Sequence, residues 1–185
     1  MTPPTLAEKL LALHQTLDRA GIAHAFGGAI ALAYCTGEPR GTIDIDLNVF
    51  VGPSEARRVF DTLPVGVVTD DADVTTVDRD GQVRVFWDNT PVDLFFAYHQ
   101  FHEEVARRVV VVPFVDERIP VLACEDLLVF KAFFARTKDW ADIEAMMASG
   151  TLDSTTALQR VATLLGADHA TYLRLVRTAE TAPDI

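Results

Sequence analysis

The sequence predicts a mixed α/β (α+β) fold, in which a mixed β-sheet is flanked by helices and followed by a helical C-terminal segment. Two observations predict it. Short β-rich segments alternate with helical patterns through the first two thirds of the chain, and from Cys124 onward the apolar period is helical only. Elements in this order are typical of a sheet with helices packed on it. We therefore expect an α/β core over residues 1–122 and a helical part over residues 123–185, packed on the core as a single compact unit.

Composition narrows the class of protein. The chain has 185 residues, 49% of them hydrophobic and 23% charged, which suits one globular domain. The formal net charge of −11 argues against non-specific nucleic-acid binding by the whole surface, although a local basic patch stays open. The N-terminus lacks a secretory pattern, no apolar run reaches about 18–20 residues, and Cys35 and Cys124 match no metal spacing. These features predict a cytoplasmic protein with no membrane segment and with reduced core thiols.

The first element is a helix over Thr5–Ala20, because Thr5 and Glu8 form a capping-box pattern ahead of leucines at helical spacing. Strands and helices then alternate. The predicted order is a strand over Ile22–Phe26, a helix over Ala29–Cys35, a strand over Thr42–Val51, a helix capped by Ser54 and running to Leu63, and a strand over Val65–Thr69.

Five aspartates between Asp70 and Asp80 predict a loop. Val83–Trp87 and Val92–Ala97 alternate like strands around a turn and predict a hairpin. The remaining predicted elements are a helix over Phe101–Arg108, β-segments over Val109–Phe114 and Ile119–Leu122, and helices over Ala123–Arg136, Asp139–Met147, from Asp153-Ser154 onward, and from Asp168 to near Ala179.

The pair Gly27-Gly28 lies between a predicted strand and a predicted helix. Without Cβ atoms, this backbone can approach a phosphate with its N–H groups and the helix N-terminus. The alternative is a tight turn with no ligand. Two acids follow in the strand D-I-D, and Asp44 and Asp46 share one face because side chains alternate. Carboxylate oxygens suit Mg²⁺, or Mn²⁺, whereas the alternative is an edge strand with a solvated polar face.

A third acid, Asp93, lies in the apolar segment P-V-D-L-F-F, where an unpaired carboxylate is costly. With Asp44 and Asp46 it could complete a three-carboxylate metal cluster, or it could simply be solvated after the turn. Lys131 lies among apolar helical neighbours and either reaches a triphosphate or extends its amine to solvent. Asp139 either caps the next helix, or else orients Lys131 or acts as a base near the site. The five histidines show no metal spacing and are expected at the surface.

Together these residues resemble the nucleotidyltransferase fold of the DNA polymerase β superfamily, whose pattern is Gly-Gly at a helix start, Asp-x-Asp on a strand and a third Asp on a later strand. The segment R-G-T-I-D-I-D-L at Arg40–Leu47 is similar to the AbiEii-type and MenT-type toxin branch. That branch also has a helix lysine and an R-x-K-D-x-x-D signature, which Lys131 and Arg136–Asp142 match. The resemblance covers about residues 22–145.

The resemblance implies Mg²⁺-dependent transfer of a nucleoside monophosphate from an NTP to an acceptor hydroxyl. Asp44, Asp46 and Asp93 would hold metal, and Asp93 would also activate the acceptor. The implied triphosphate ligands are Gly27, Gly28, Arg40, Thr42 and Lys131. In toxin members the acceptor is the 3′ end of tRNA and a cognate antitoxin protein restrains the enzyme.

Two other functions stay open at this point. Related resistance enzymes use an aminoglycoside or lincosamide as acceptor, and a degenerate fold would bind a nucleotide without catalysis. At a net charge of −11, tRNA would need a focused basic groove. The residues expected around such a groove are Arg40, Arg57, Arg58, Lys131, Arg136 and Lys138.

Overall fold

The computed structural model describes residues 3–181, and within them it contains nine α-helices and one seven-stranded sheet. The helices are α1 (Leu6–Arg19), α2 (Gly28–Thr36), α3 (Ala56–Thr62), α4 (Asp71–Asp80), α5 (Gln100–Arg107), α6 (Cys124–Phe134), α7 (Thr137–Ala148), α8 (Ser154–Leu165) and α9 (Ala170–Thr181). The strands are β1 (His24–Phe26), β2 (Ile45–Val49), β3 (Val67–Val68), β4 (Gln82–Trp87), β5 (Thr90–Phe96), β6 (Val110–Phe114) and β7 (Glu117–Val121). The predicted fold class is confirmed.

The sheet is mixed, with the strand order β3-β4-β5-β2-β1-β7-β6. Its central strand β2 pairs parallel with β5 and antiparallel with β1, and β4 pairs antiparallel with β5 in the predicted hairpin. Along β5 the buried residues are Val92, Leu94 and Phe96, so the alternate positions, Asp93 among them, lie on the opposite face. This alternation sets which side chains of neighbouring strands meet.

The chain divides into two compact units. The first comprises the chain up to Ile30 together with Gly41–Leu122, and it contains the whole sheet. The second comprises Ala31–Arg40 together with the chain from Ala123 onward, and in it α7, α8 and α9 all contact α6. The packing of the helical part on the core as one unit stays a prediction.

The acidic segment before β4 was expected to be a loop, and this is wrong. It forms α4, because the Asp70 carboxylate accepts hydrogen bonds from the N–H groups of Ala72 and Asp73, and Asp73 completes a capping box. Carboxylates in a first turn are further stabilised by the helix dipole. The expected Ser54 cap is also wrong, because a 3₁₀ turn over Pro53–Glu55 precedes α3 and has no side-chain cap.

Two expectations about buried groups need correction. Cys35 and Cys124 are joined by a disulfide with a Cα–Cα distance of 5.5 Å, so they are not reduced thiols. The cysteine argument for the cytoplasm therefore falls, because disulfides are rare there, and localisation stays a prediction. His24 and His102 are buried and not at the surface. In the part of the chain that is described, no helix is long and apolar enough to cross a bilayer.

Candidate active site

A row of carboxylates lies across two neighbouring strands of the first unit. The parallel register of β2 and β5 places Asp46 directly opposite Asp93. Residues opposite one another share a face of the sheet, and neighbouring strands are about 4.8 Å apart, so these two carboxylates are neighbours. Asp44 precedes the first residue of β2 and lies two positions before Asp46. All three acids are half-buried. The structure therefore places Asp46 beside Asp93, with Asp44 two positions earlier in the chain.

The glycine pair is packed against the same acids. The Gly27 N–H donates to the Asp46 carbonyl oxygen at 2.9 Å. At Gly28 the backbone is left-handed, with φ of +50°, and an added Cβ would lie 1.8 Å from Asp46 Oδ2. Only glycine leaves room for the Asp46 carboxylate at the start of α2. The sequence predicted a close approach of an anion to this backbone, and the anion seen there is the Asp46 carboxylate. Binding of a triphosphate by Gly27 and Gly28 stays a prediction.

A cation, Arg84 of β4, binds Asp93. Arg84 is opposite Asp93 in the β4–β5 register, and its Nε and Nη2 atoms donate to Asp93 Oδ1 and Oδ2 at 2.7 and 2.6 Å. The pKa of the Arg84 guanidinium is raised, first by the hydrogen bonds and charge of Asp93, and further by the charges of Asp44 and Asp46. All three acids therefore act on one arginine. The sequence reasoning missed Arg84, although the alternation of Val83–Trp87 and the hairpin register would have placed it beside Asp93.

The fit of this site to a metal depends on Asp93. Three carboxylates match the hard oxygen ligands that Mg²⁺ prefers. Among residues 3–181, however, no group of three or more His, Cys, Asp or Glu side chains is arranged to hold a metal ion. Arg84 donates a hydrogen bond to each oxygen of Asp93. The donor set suits a divalent cation in kind, and Arg84 competes with such a cation for Asp93.

Thr42 orients the first acid. Its hydroxyl donates to Asp44 Oδ1 at 2.5 Å and accepts from the Asp44 N–H at 3.4 Å. These bonds fix the Asp44 side chain at the point where the chain enters β2. The predicted contact of Thr42 with a nucleotide stays a prediction.

In the second unit the two predicted phosphate-binding cations share one acid. Arg40 donates to both carboxylate oxygens of Asp142 at 2.5 and 3.0 Å, and Lys131 Nζ donates to Asp142 Oδ2 at 2.6 Å. Burial raises the pKa of Asp142, but the hydrogen bonds and charges of Lys131 and Arg40 outweigh it and leave the pKa below its usual range. The Lys131 side chain is only 9% exposed. The lysine therefore satisfies its charge inside the unit, and its role toward a triphosphate stays a prediction.

Asp139 has the capping role that the sequence offered as one of two alternatives. It accepts hydrogen bonds from the Arg136 N–H at 3.1 Å and from Arg136 Nε at 2.6 Å, at the start of α7. The partner of Lys131 is Asp142, one helical turn further along α7, and not Asp139. A catalytic role for Asp139 stays a prediction.

Comparison with known proteins identifies the fold. No protein-family model and no curated protein matches the chain. Among solved structures, the chain is similar to the antibiotic-resistance factor ANT(2'')-Ia in solution, with a TM-score of 0.61 and 13% identity over 94% of this chain and 96% of the other. A crystal structure of ANT(2'')-Ia in complex with adenylyl-2''-tobramycin has a TM-score of 0.57 and 13% identity, over 96% of this chain and 98% of the other. The lincosamide antibiotic adenylyltransferase LnuA with bound lincomycin has a TM-score of 0.52 and 12% identity, over 78% of this chain and 98% of the other.

These similarities show that the chain has the fold of nucleotidyltransferases. At 12–13% identity they show the fold alone, so the chemistry has to be argued from the residues of this chain. The toxin branch that the sequence resembles is not among these matches, and it stays a prediction.

Proposed function

We propose that this protein is a nucleotidyltransferase that moves a nucleoside monophosphate from an NTP to an acceptor hydroxyl. One observation carries the proposal. On this fold, Asp46 of β2 packs against Gly28 at the start of α2 and lies opposite Asp93 of the paired strand β5. Phosphoryl chemistry of this kind needs little covalent participation by the protein. It needs a positioned triphosphate, a positioned hydroxyl and compensation of developing charge.

In the proposed reaction the acceptor oxygen forms a bond to the α-phosphorus, and the bond from that phosphorus to the pyrophosphate oxygen breaks. The acceptor proton goes to a carboxylate, for which we propose Asp93. Asp44, fixed by Thr42, and Asp46, packed on Gly28, are the proposed Mg²⁺ ligands, together with Asp93. When bound, that ion would compensate the negative charge of the triphosphate.

For the acceptor we propose a small polycationic molecule of the aminoglycoside type. A protein of net charge −11 attracts cations and repels polyanions. The arginines that the sequence offered for a polynucleotide path are already paired with acids, namely Arg40 with Asp142, Arg57 with Asp71, Arg58 with Glu55 and Arg136 with Asp139. ANT(2'')-Ia, which has the same fold, has been captured with an adenylylated aminoglycoside.

The second candidate acceptor is the 3′ end of tRNA, in a toxin restrained by an antitoxin. The motif over Arg40–Leu47 favours it, because it resembles the toxin branch. The pairing of these arginines with acids counts against it, since each arginine would have to exchange an aspartate or glutamate for a phosphate.

The test incubates the protein with each of the four α-labelled NTPs, Mg²⁺, and either an aminoglycoside and lincosamide panel or total tRNA. We expect label on an aminoglycoside, and none with Asp46→Asn. Label on tRNA alone would replace the first acceptor with the second. Binding of NTP without any transfer would instead favour a non-catalytic nucleotide-binding module and would contradict the proposed chemistry.

A further inference from the structure

Arg84 is bonded to Asp93, the acid that the proposed metal site needs as its third ligand. It bonds Asp93 through two parallel hydrogen bonds of 2.6 and 2.7 Å, and this forked geometry is the strongest that an arginine makes with a carboxylate. Asp93 is 18% exposed at its side chain, whereas Arg84 is 54% exposed. The acid is therefore held inside the sheet face, and the arginine reaches it from the solvent side.

A guanidinium and a divalent ion compete for the same carboxylate, because the forked arginine takes a lone pair on each oxygen and the two cations repel one another. Both oxygens of Asp93 accept from Arg84, so neither has its in-plane lone pairs fully available to a metal. Because the Arg84 side chain is half exposed to solvent, it can move away from Asp93 without disrupting a packed core.

We infer that Arg84 is a built-in counter-cation that holds Asp93 in the metal-free protein and that a divalent ion has to displace before the three acids act together. This inference rests on the proposed function, because it assigns Asp44, Asp46 and Asp93 to a divalent ion. It explains why the acids are neighbours and yet do not form a metal-binding group among the described residues. It also makes assembly of the site depend on the arrival of the metal.

The first experiment measures Mn²⁺ binding to the full chain without nucleotide, from the electron paramagnetic resonance signal of free Mn²⁺. Arg84→Gln removes the competitor and is expected to tighten binding by about tenfold or more, since about 1.4 kcal/mol corresponds to a factor of ten. Arg57→Gln is the matched control, because it removes the same charge from an exposed pair with Asp71. The control is expected to bind Mn²⁺ as the wild type does. Equal affinity of Arg84→Gln and wild type overturns the inference.

The second experiment uses the wild type, so it does not depend on the folding of a variant. The ¹⁵N-labelled protein is titrated with Mg²⁺, and the Nε–Hε resonance of Arg84 is followed. Displacement predicts that this resonance moves and exchanges faster with water as Mg²⁺ binds, whereas the corresponding resonance of Arg57 does not. An Arg84 resonance that stays unchanged at saturating Mg²⁺ overturns the inference.

The two proposals fail in different ways. If Mn²⁺ binding requires Asp46 and transfer occurs, but Arg84→Gln changes nothing, the inference fails and the proposed function stands. If Arg84→Gln tightens Mn²⁺ binding but no acceptor receives a nucleotide, the inference stands and the proposed function fails. If no variant binds Mn²⁺, the inference is overturned together with the metal part of the proposed function.

Discussion

At the scale of single residues, Gly28 is the position that the proposed site tolerates least. Its φ is +50°, and an added Cβ would lie 1.8 Å from Asp46 Oδ2. We expect Gly28→Ala to displace the Asp46 carboxylate, abolish nucleotidyl transfer and lower the free energy of unfolding by about 2–4 kcal/mol. Transfer assays and urea unfolding monitored by circular dichroism measure the two effects.

Gly37→Ala is the control that separates the steric clash with Asp46 from the free-energy cost of a left-handed backbone at a residue with a Cβ. Gly37 is also left-handed, with φ of +70°, but nothing lies within 4 Å of an added Cβ. We expect it to lose about 1–2 kcal/mol and to keep its transfer activity. If Gly28→Ala retains wild-type transfer, Asp46 does not have the position that the proposal requires.

A second residue, His24, makes stability depend on pH. Its Nδ1 donates to the Ile22 carbonyl at 2.8 Å, so its Nε2 accepts from His14 Nδ1 at 2.9 Å. Burial lowers the pKa of His24. As the pH falls through the unfolded value of about 6.5, the unfolded chain therefore binds a proton before the folded one does, and stability is lost. We expect the free energy of unfolding to fall between pH 7 and pH 5.

Denaturant unfolding at several pH values tests this dependence. His24→Asn should flatten the curve, although not completely, because burial also lowers the pKa of His102. His169 is exposed, so His169→Asn should leave the dependence as it is in the wild type. A His24→Asn curve as steep as that of the wild type would contradict the assignment.

At the scale of elements, Lys9, a buried lysine of α1, links that helix to the β4–β5 hairpin. Lys9 is 3% exposed, and its Nζ donates to the Trp87 carbonyl at 2.8 Å and to the Thr90 hydroxyl at 3.0 Å, with Asp88 3.1 Å away. Lys9→Met leaves these acceptors without their donor. We expect a loss of about 1–3 kcal/mol in urea unfolding.

Lys138→Met is the control for this change, because Lys138 is exposed and we expect an effect within about 0.5 kcal/mol. The same hairpin carries Arg84 and Asp93. Lys9→Met is therefore also expected to weaken transfer. Equal stability of the two lysine variants would show that the hairpin does not depend on Lys9.

Element by element, sequence patterns predicted what depends on local periodicity and missed what depends on partners. The capping box of Thr5 and Glu8 and the alternation across the hairpin are local, and both are confirmed. The number of acids over Asp70–Asp80 predicts a loop, whereas the capping positions of Asp70 and Asp73 favour the helix that the structure contains. Arg84 was missed because its importance comes from the strand opposite it. Asp142 was missed as the partner of Lys131 for the same reason, since the pair lies on two different helices.

At the scale of the whole chain, the disulfide is the feature that sequence spacing hid. Cys35 on α2 and Cys124 at the start of α6 are 89 positions apart, and both belong to the second unit. A bridge that closes a loop of this length restricts the unfolded chain and contributes about 4 kcal/mol. We expect reduction with dithiothreitol to lower stability by that order. The double variant Cys35→Ser/Cys124→Ser should be insensitive to reductant.

The disulfide itself is tested by counting reactive thiols in denaturant without reductant. We expect no reactive thiol in the purified wild type. Two reactive thiols per chain would mean that the cysteines are reduced, as composition alone predicted, and would restore the cysteine argument for the cytoplasm.

The fold class could be predicted, and so could the proximity of Asp46 and Asp93, because the motif is compact and its order along the chain is specific. The acceptor could not be predicted from the motif, because it depends on the charges presented around the site. The charge that the arginines present to an acceptor depends on which acid pairs with each of them, and that pairing is visible only in the structure.

The central claim is that the row of Asp44, Asp46 and Asp93 carries nucleotidyl transfer. The most direct test is mass spectrometry of an aminoglycoside acceptor after incubation with NTP and Mg²⁺, using wild type, Asp46→Asn and Asp78→Asn. Asp78 lies on α4 outside the row and controls for the change in charge. We predict that the acceptor gains one nucleoside monophosphate with wild type and Asp78→Asn, and about a thousandfold more slowly or not at all with Asp46→Asn. Equal gain with Asp46→Asn, or no gain on any acceptor including tRNA, would contradict the claim.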